Sequence, residues 1–249
     1  MWEILFRHSD FVAVNKPCGV SVHQEEGEVS LTQTLAAQLG LEQVWLLHRL
    51  DKLTSGVLLF ALNPQSASAL AQQFAAKTMR KTYLALATDK PSKKQGWIKG
   101  DMEKSRRGTW KLTRGMENPA VTKFGSHSLE PGLRLFVLHP HTGKTHQLRV
   151  AMKSLGSPIL GDTLYGGKPA SRMFLHAWKI KFDYQGQTFE IVAPLSEEWP
   201  LRDIDFFVNI KPPENLWQQR FLLSFSKRKP DGLSSSLHER GRQTVRLVF

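Results

Sequence analysis

The run His48-Arg49-Leu50-Asp51-Lys52-Leu53-Thr54-Ser55-Gly56 sets one carboxylate among three basic residues and ends in two hydroxyls and a glycine. Neighbouring cations favour the ionised form of a carboxylate, the form in which it attacks an electrophile or stabilises positive charge. The run lies between two apolar stretches, Val44–Leu47 and Gly56–Leu62. That makes it a loop held by strands, where catalytic groups concentrate. A structural salt bridge followed by a Thr/Ser/Gly turn fits the same residues.

Thr142-Gly143-Lys144-Thr145-His146-Gln147-Leu148-Arg149-Val150 is the second cluster. Its Gly-Lys-Thr triplet lacks the first glycine of a nucleotide phosphate loop. A helix starting near Thr145 puts His146 and Arg149 on one face at i, i+3. Arg149 could then face an interior carboxylate; a basic solvated helix face is the plainer reading. Arg80-Lys81-Thr82-Tyr83 places an aromatic after two cations at the start of a strand. Residues 157–166, SPILGDTLYG, form a turn-rich loop that alone means only a structured loop.

The elements that must position these groups are short. Strands are expected over 3–6, 11–15, 44–47, 56–62, 81–87, 119–126, 133–138, 174–182 and 186–193. Helices are expected over 31–39, capped by Ser30; over 65–77, started by Asn63 or Ser66; and over 145–155, closed by Gly156. The continuous apolar runs predict central strands covered on both faces. Residues 89–119, rich in Lys, Arg, Gly and Ser, predict an exposed basic hairpin. Within it, 99–114 alternates cations with Trp110 and Gly108, which suits a grip on RNA or a solvated loop. Many strands with few helices predict an α+β fold, a large mixed, mainly antiparallel sheet with flanking helices. A catalytic domain over 1–202 and a basic extension over 203–249 are expected.

Among 249 residues, 34 Lys and Arg face 22 Asp and Glu, a formal net charge of +12. So basic a surface suits a polyanionic partner, nucleic acid before membrane. No apolar run approaches the ~18 residues that span a bilayer. The N-terminal residues lack a signal-peptide core, so a soluble cytoplasmic protein is expected. One cysteine, Cys18, excludes an intramolecular disulfide and a Cys-rich zinc site. Without GxGxxG, GxxxxGK[ST], HExxH or GxSxG, nucleotide-cofactor enzymes, zinc proteases and serine hydrolases lose ground.

Taken together, the segments resemble the RluA family of pseudouridine synthases. NKPCGVSVH (15–23) is similar to the family's opening Asn-Lys-Pro-x-Gly segment, and HRLDKLTSG (48–56) to its His-Arg-Leu-Asp-x-x-Thr-Ser-Gly motif. RKTYLAL (80–86) is similar to its Lys-x-Tyr strand. GKTHQLRV (143–150) and SPILGDTLYG (157–166) resemble two more motifs, in the family's order. The resemblance runs from about residue 3 to 195. Lys144 stands where the family has arginine, which keeps charge but loses a bidentate fork. Ala151 stands where a histidine is common.

The resemblance implies the pseudouridine synthase fold and isomerisation of uridine to pseudouridine in structured tRNA or rRNA, without metal or cofactor. It implies Asp51 as the catalytic carboxylate and Arg149 as its ion-pair partner. Tyr83 would stack on the uracil and could accept a ribose proton, stacking being the firmer role. Arg49 would fill the stack left by a flipped base, with His48 beside it, and Leu148 would pack near the base. Lys16, Arg80, Lys81, Lys104, Arg106, Arg107, Lys111 and Arg114 are the expected phosphate contacts. A monomer without a separate small RNA-binding module, acting on RNA rather than DNA, is expected, of a compact form similar to the tRNA-directed TruC-like branch. The competing class is a noncatalytic RNA-binding or ribosome-assembly protein on the same fold. A small-molecule transferase leaning on Gly143-Lys144-Thr145 ranks third.

Overall fold

Among the described residues, a ten-stranded mixed sheet has three α-helices packed on it. The computed structural model describes residues 1–22 and 30–201; the extension expected over 203–249, the domain boundary at 202 and His23 lie outside them. The main path runs β1 (Glu3–Arg7), β2 (Phe11–Lys16), β4 (Ser55–Ala61), β11 (Leu175–Tyr184), β5 (Arg80–Ala87), β10 (Leu133–Pro140), β9 (Ala120–Glu130), β6 (Gln95–Gly100). β3 (Trp45–Leu46) pairs with β4, and β12 (Gln187–Val192) with β11.

β4 is buried at every position. Val57 and Leu59 pack on one side, with Phe11 and Leu70; Leu58 and Phe60 pack on the other, with Val12 and Leu35. Burial on both faces explains why the run lacks polar alternation. β4 and β11 run parallel and pair only through Ser55–His176 and Gly56–Ala177. Gly56 has φ +111°, and a Cβ there would lie 2.3 Å from the Ala177 carbonyl oxygen, so only glycine allows this approach. Beyond Gly56 the two strands part, and a notch opens along β4.

The Val44–Leu47 run fills that notch. It is no long central strand: β3 has two residues, half-buried, opposite Phe60 and Ala61. The segment is consumed by the turn that leads to Asp51.

α1 (Leu31–Leu39) begins with a capping box between Ser30 and Gln33. α2 (Pro64–Ala75) begins at Pro64, with Asn63 Oδ1 accepting from the Ser66 amide. α3 (Gln147–Ser154) starts two residues later than expected, because His146 sits in the left-handed region at φ 56°. His146 therefore lies outside the helix and shares no face with Arg149 by helical spacing. α3 packs Leu148, Ala151, Met152 and Leu155 onto Ala85, Leu138 and Phe124 of the sheet. Part of the 89–119 region joins the main sheet as β6; the rest is a separate ribbon, β7 (Met102–Lys104) and β8 (Trp110–Leu112), turning at Arg106–Gly108.

Candidate active site

Asp51 begins a tight turn in the β3–β4 connection, its carbonyl accepting from the Thr54 amide at 2.9 Å. The turn is clamped from the β2 side. The Gly19 amide donates to the Lys52 carbonyl, and Cys18 Sγ donates to the Leu53 carbonyl. Lys16 Nζ donates to the carbonyls of Pro17, Val20 and Lys52 at 3.0, 2.7 and 3.1 Å. Lys16 is 0% exposed, so it is no phosphate contact. Burial pushes its ammonium down to about 8, against the pull of Cys18 and Asp51. Its role is internal: three carbonyls converge on one cation, which ties the opening segment to the Asp51 turn.

The end of the motif is anchored on the opposite side. Arg172 Nη2 donates to Ser55 Oγ at 2.6 Å, and Ser55 Oγ lies 2.8 Å from His176 Nδ1. His176 Nε2 lies 3.2 Å from the Ala193 carbonyl, which can only accept. Nε2 therefore carries the proton, and Nδ1 accepts from Ser55. Burial holds His176 at a pKa of about 4.

His48 is a second correction. Its Nε2 accepts the Leu59 amide at 3.2 Å, and its ring stacks on Phe74 at 4.8 Å. Burial and the charge of Lys81 push it down to about 3. The imidazole completes the ladder of β4 where β11 has departed, so it belongs to the scaffold and not to substrate binding.

Asp51 keeps 29% of its side chain exposed and lies 3.8 Å from Arg149 Nη1. Arg149 is 6% exposed, and its principal partner is another acid. Nε and Nη2 each donate at 2.7 Å to the two oxygens of Asp162, which is 1% exposed. Burial opposes the guanidinium charge, but the hydrogen bonds and charge of Asp162, with that of Asp51, raise its pKa. The expected Asp51–Arg149 ion pair is made through one terminal nitrogen, while the guanidinium's bidentate fork is held by Asp162. Asp162 and Tyr165 went unassigned in the sequence, although both stand in the SPILGDTLYG loop. The Arg149 guanidinium lies 4.8 Å from the Tyr165 ring centroid. Tyr165 Oη lies 2.8 Å from His146 Nδ1 and accepts the Trp110 amide at 3.0 Å.

Trp110 belongs to β8, so Tyr165 roots the ribbon beside Arg149. Arg106 and Arg107 are exposed at the ribbon's turn, as are Lys104, Lys111 and Arg114 along it. Lys81 and Tyr83 share one face of β5 by the two-residue repeat, whereas exposed Arg80 takes the other. Half-buried Lys81 donates to the Thr142 carbonyl at 3.4 Å. Arg49 is exposed beside Asp51.

Tyr83 sits where two core clusters meet, with Leu148 in one of them. Burial, then the charge of Asp51, raises the phenol pKa above its ordinary value. A raised pKa disfavours the base role and leaves the ring face as the part suited to stacking. Leu148 is 7% exposed and packed in the core, which leaves it almost no surface for a base. Among the described residues, no group of three or more His, Cys, Asp or Glu could hold a metal ion. None of their helices is long and apolar enough to cross a membrane.

The α+β sheet and its three helices are those of a pseudouridine synthase. The chain belongs to the RNA pseudouridylate synthase family, whose model matches residues 10–154, and it is an RNA pseudouridine synthase, an isomerase. It is 56% identical to an uncharacterized RNA pseudouridine synthase of Haemophilus influenzae, over 73% of this chain and 82% of that one. It is 33% identical to tRNA pseudouridine synthase C of the same organism, over 80% and 95% of the two chains. The human RNA pseudouridylate synthase domain containing 4 structure superposes with a TM-score of 0.67 at 26% identity, covering 78% of this chain and 89% of that one.

Proposed function

We propose that the chain isomerises one uridine in a structured RNA, tRNA before rRNA, with Asp51 as the catalytic carboxylate. The N1–C1′ bond breaks, the uracil turns, and C5 bonds to C1′; C5 loses its proton and N1 gains one. The observation that carries this reading is Asp51 itself: a carboxylate open to solvent, clamped on a turn, 3.8 Å from a buried guanidinium. Such pre-placement removes the reorganisation that water would demand. Arg149 positions the carboxylate while Asp162 fixes Arg149. Tyr83 offers a ring on which the uracil stacks, and Arg49 is placed to enter the gap a flipped base leaves. Arg106 and Arg107 on the ribbon grip phosphates, with Lys81 on the Tyr83 face and Arg80 behind it. The tRNA preference rests on the tRNA pseudouridine synthase C relative, nearly all of whose length is matched.

The test is release of tritium from [5-³H]uridine-labelled RNA. Bulk tRNA and rRNA, each from cells lacking this gene, are treated with the purified protein, and the modified position is then mapped chemically. Release from tRNA supports the first target and release from rRNA alone replaces it. No release from either, with binding intact, would favour a noncatalytic RNA-binding role.

A further inference from the structure

Successive residues of a strand point to opposite faces, so the neighbours of the Tyr83 row form a row of their own behind the sheet. Lys179 opposes Thr82, Thr82 Oγ1 lies 3.2 Å from His139 Nδ1, His139 opposes Lys123, and Lys123 opposes Trp97. The row crosses β11, β5, β10, β9 and β6. Beside it, Lys181 opposes Arg80, and Lys99 lies two residues from Trp97 on β6.

Trp97 is 50% exposed on the last strand of the sheet's path. Lys99 Nζ lies 5.2 Å from its ring centroid, and the His141 ring 5.0 Å away. Glu190 pairs with Lys179 and Lys181. Among the described residues no carboxylate pairs with Arg80, Lys99 or Lys123. Burial and the charge of Lys123 keep His139 and His141 below their ordinary pKa, so they present neutral rings. The rear face thus combines an open indole with three uncompensated cations. A half-exposed tryptophan adds little to the core, whereas an aromatic face flanked by cations is a platform for an unpaired base and its phosphates.

We propose that this rear face is a second RNA contact, where an unpaired nucleotide of the substrate stacks on Trp97 and the adjoining phosphates lie on Lys99, Lys123 and Arg80. The inference rests on the substrate being RNA and deepens that reading. Lys99 is exposed on a flexible stem, so its ammonium can leave the ring for a phosphate as the base arrives. β6 ends the path of the described sheet three strands beyond the β5 of Tyr83, so at ~4.8 Å per strand an RNA strand leaving the Tyr83 face runs roughly 14 Å across the sheet before it turns the edge at Trp97. Paired bases hide their faces in the stack, which makes single-stranded RNA the fitting partner.

The experiment uses the full chain and fluorescein-labelled oligouridine of about ten nucleotides, with a duplex of equal length as control, read by fluorescence anisotropy. Trp97→Ala should weaken oligouridine binding roughly tenfold, and Trp97→Phe should restore most of it. Lys99→Ala with Lys123→Ala should lower the salt slope of binding by about 1.4. With intact substrate RNA, the Trp97→Ala loss should fall on KM rather than kcat. Oligouridine binding unchanged in Trp97→Ala and in the double lysine variant, equal losses for duplex and single strand, or a loss confined to kcat would overturn the proposal. Turnover by Asp51→Asn would sink the catalytic assignment and leave this one standing, because oligouridine binding needs no turnover.

Discussion

Arg149 gives its bidentate edge to Asp162 at 2.7 Å and reaches Asp51 with a single nitrogen at 3.8 Å. The buried pair is thus a mount, and Asp51 is the part left available. An acid tightly forked to Arg149 would have fewer oxygens for a ribose or a base. Asp162→Asn should therefore destabilise the fold by about 3 kcal/mol, by leaving a buried guanidinium poorly compensated. Urea denaturation measures it, and an unchanged midpoint would mean that Asp51 suffices as the counterion.

Asp51→Asn removes the charge and keeps the shape. Tritium release should fall roughly 10⁴-fold, the scale on which loss of an essential catalytic group registers. RNA affinity should stay within a few-fold, because phosphates supply most of it. Retained turnover would transfer the chemistry to another group.

Tyr83→Phe should keep kcat within a few-fold, since burial holds the proton on the phenol. Tyr83→Ala should lose the stacking surface and much more of the rate. If the phenylalanine variant is as inactive as the alanine one, the hydroxyl takes part in the chemistry.

His176 makes stability depend on pH. The unfolded imidazole takes up a proton near 6.5 and the folded one only near 4. Between those values the unfolded chain binds more protons, so stability is lost as pH falls through the window. The span corresponds to roughly 3 kcal/mol for this group. His176→Gln, which keeps a hydrogen-bonding amide but does not titrate, should flatten the fall measured by denaturation at pH 7 and pH 4.

The Asp51 motif was legible because its residue types and its place between apolar runs both survive in one dimension. The burial of β4 was legible for the same reason. Lys16 and His48 were misread because their partners are backbone atoms, the carbonyls of Pro17, Val20 and Lys52 and the amide of Leu59, which no residue type announces. The start of α3 was misplaced because the left-handed turn at His146 comes from the loop around it. Asp162 stood in a quoted segment, yet only folding shows that it faces Arg149. Trp97 carries no motif in the sequence; only the register that sets it opposite Lys123 gives it a setting.

The parting of β4 and β11 after Gly56 sorts the chain into segments that tolerate changes of length and segments that do not. Between Trp45 and Ser55 the notch allots a place to each of the two β3 residues, the His48 ring and the Asp51 turn. A single insertion or deletion there would shift Asp51 off its mount. The β7–β8 ribbon forms no ladder with the main sheet, so its tip at Arg106–Gly108 can lengthen or shorten while the Tyr165 root holds. Divergence among homologues in chain length, and with it in RNA choice, is expected at that tip, next to an invariantly spaced β3–β4 connection.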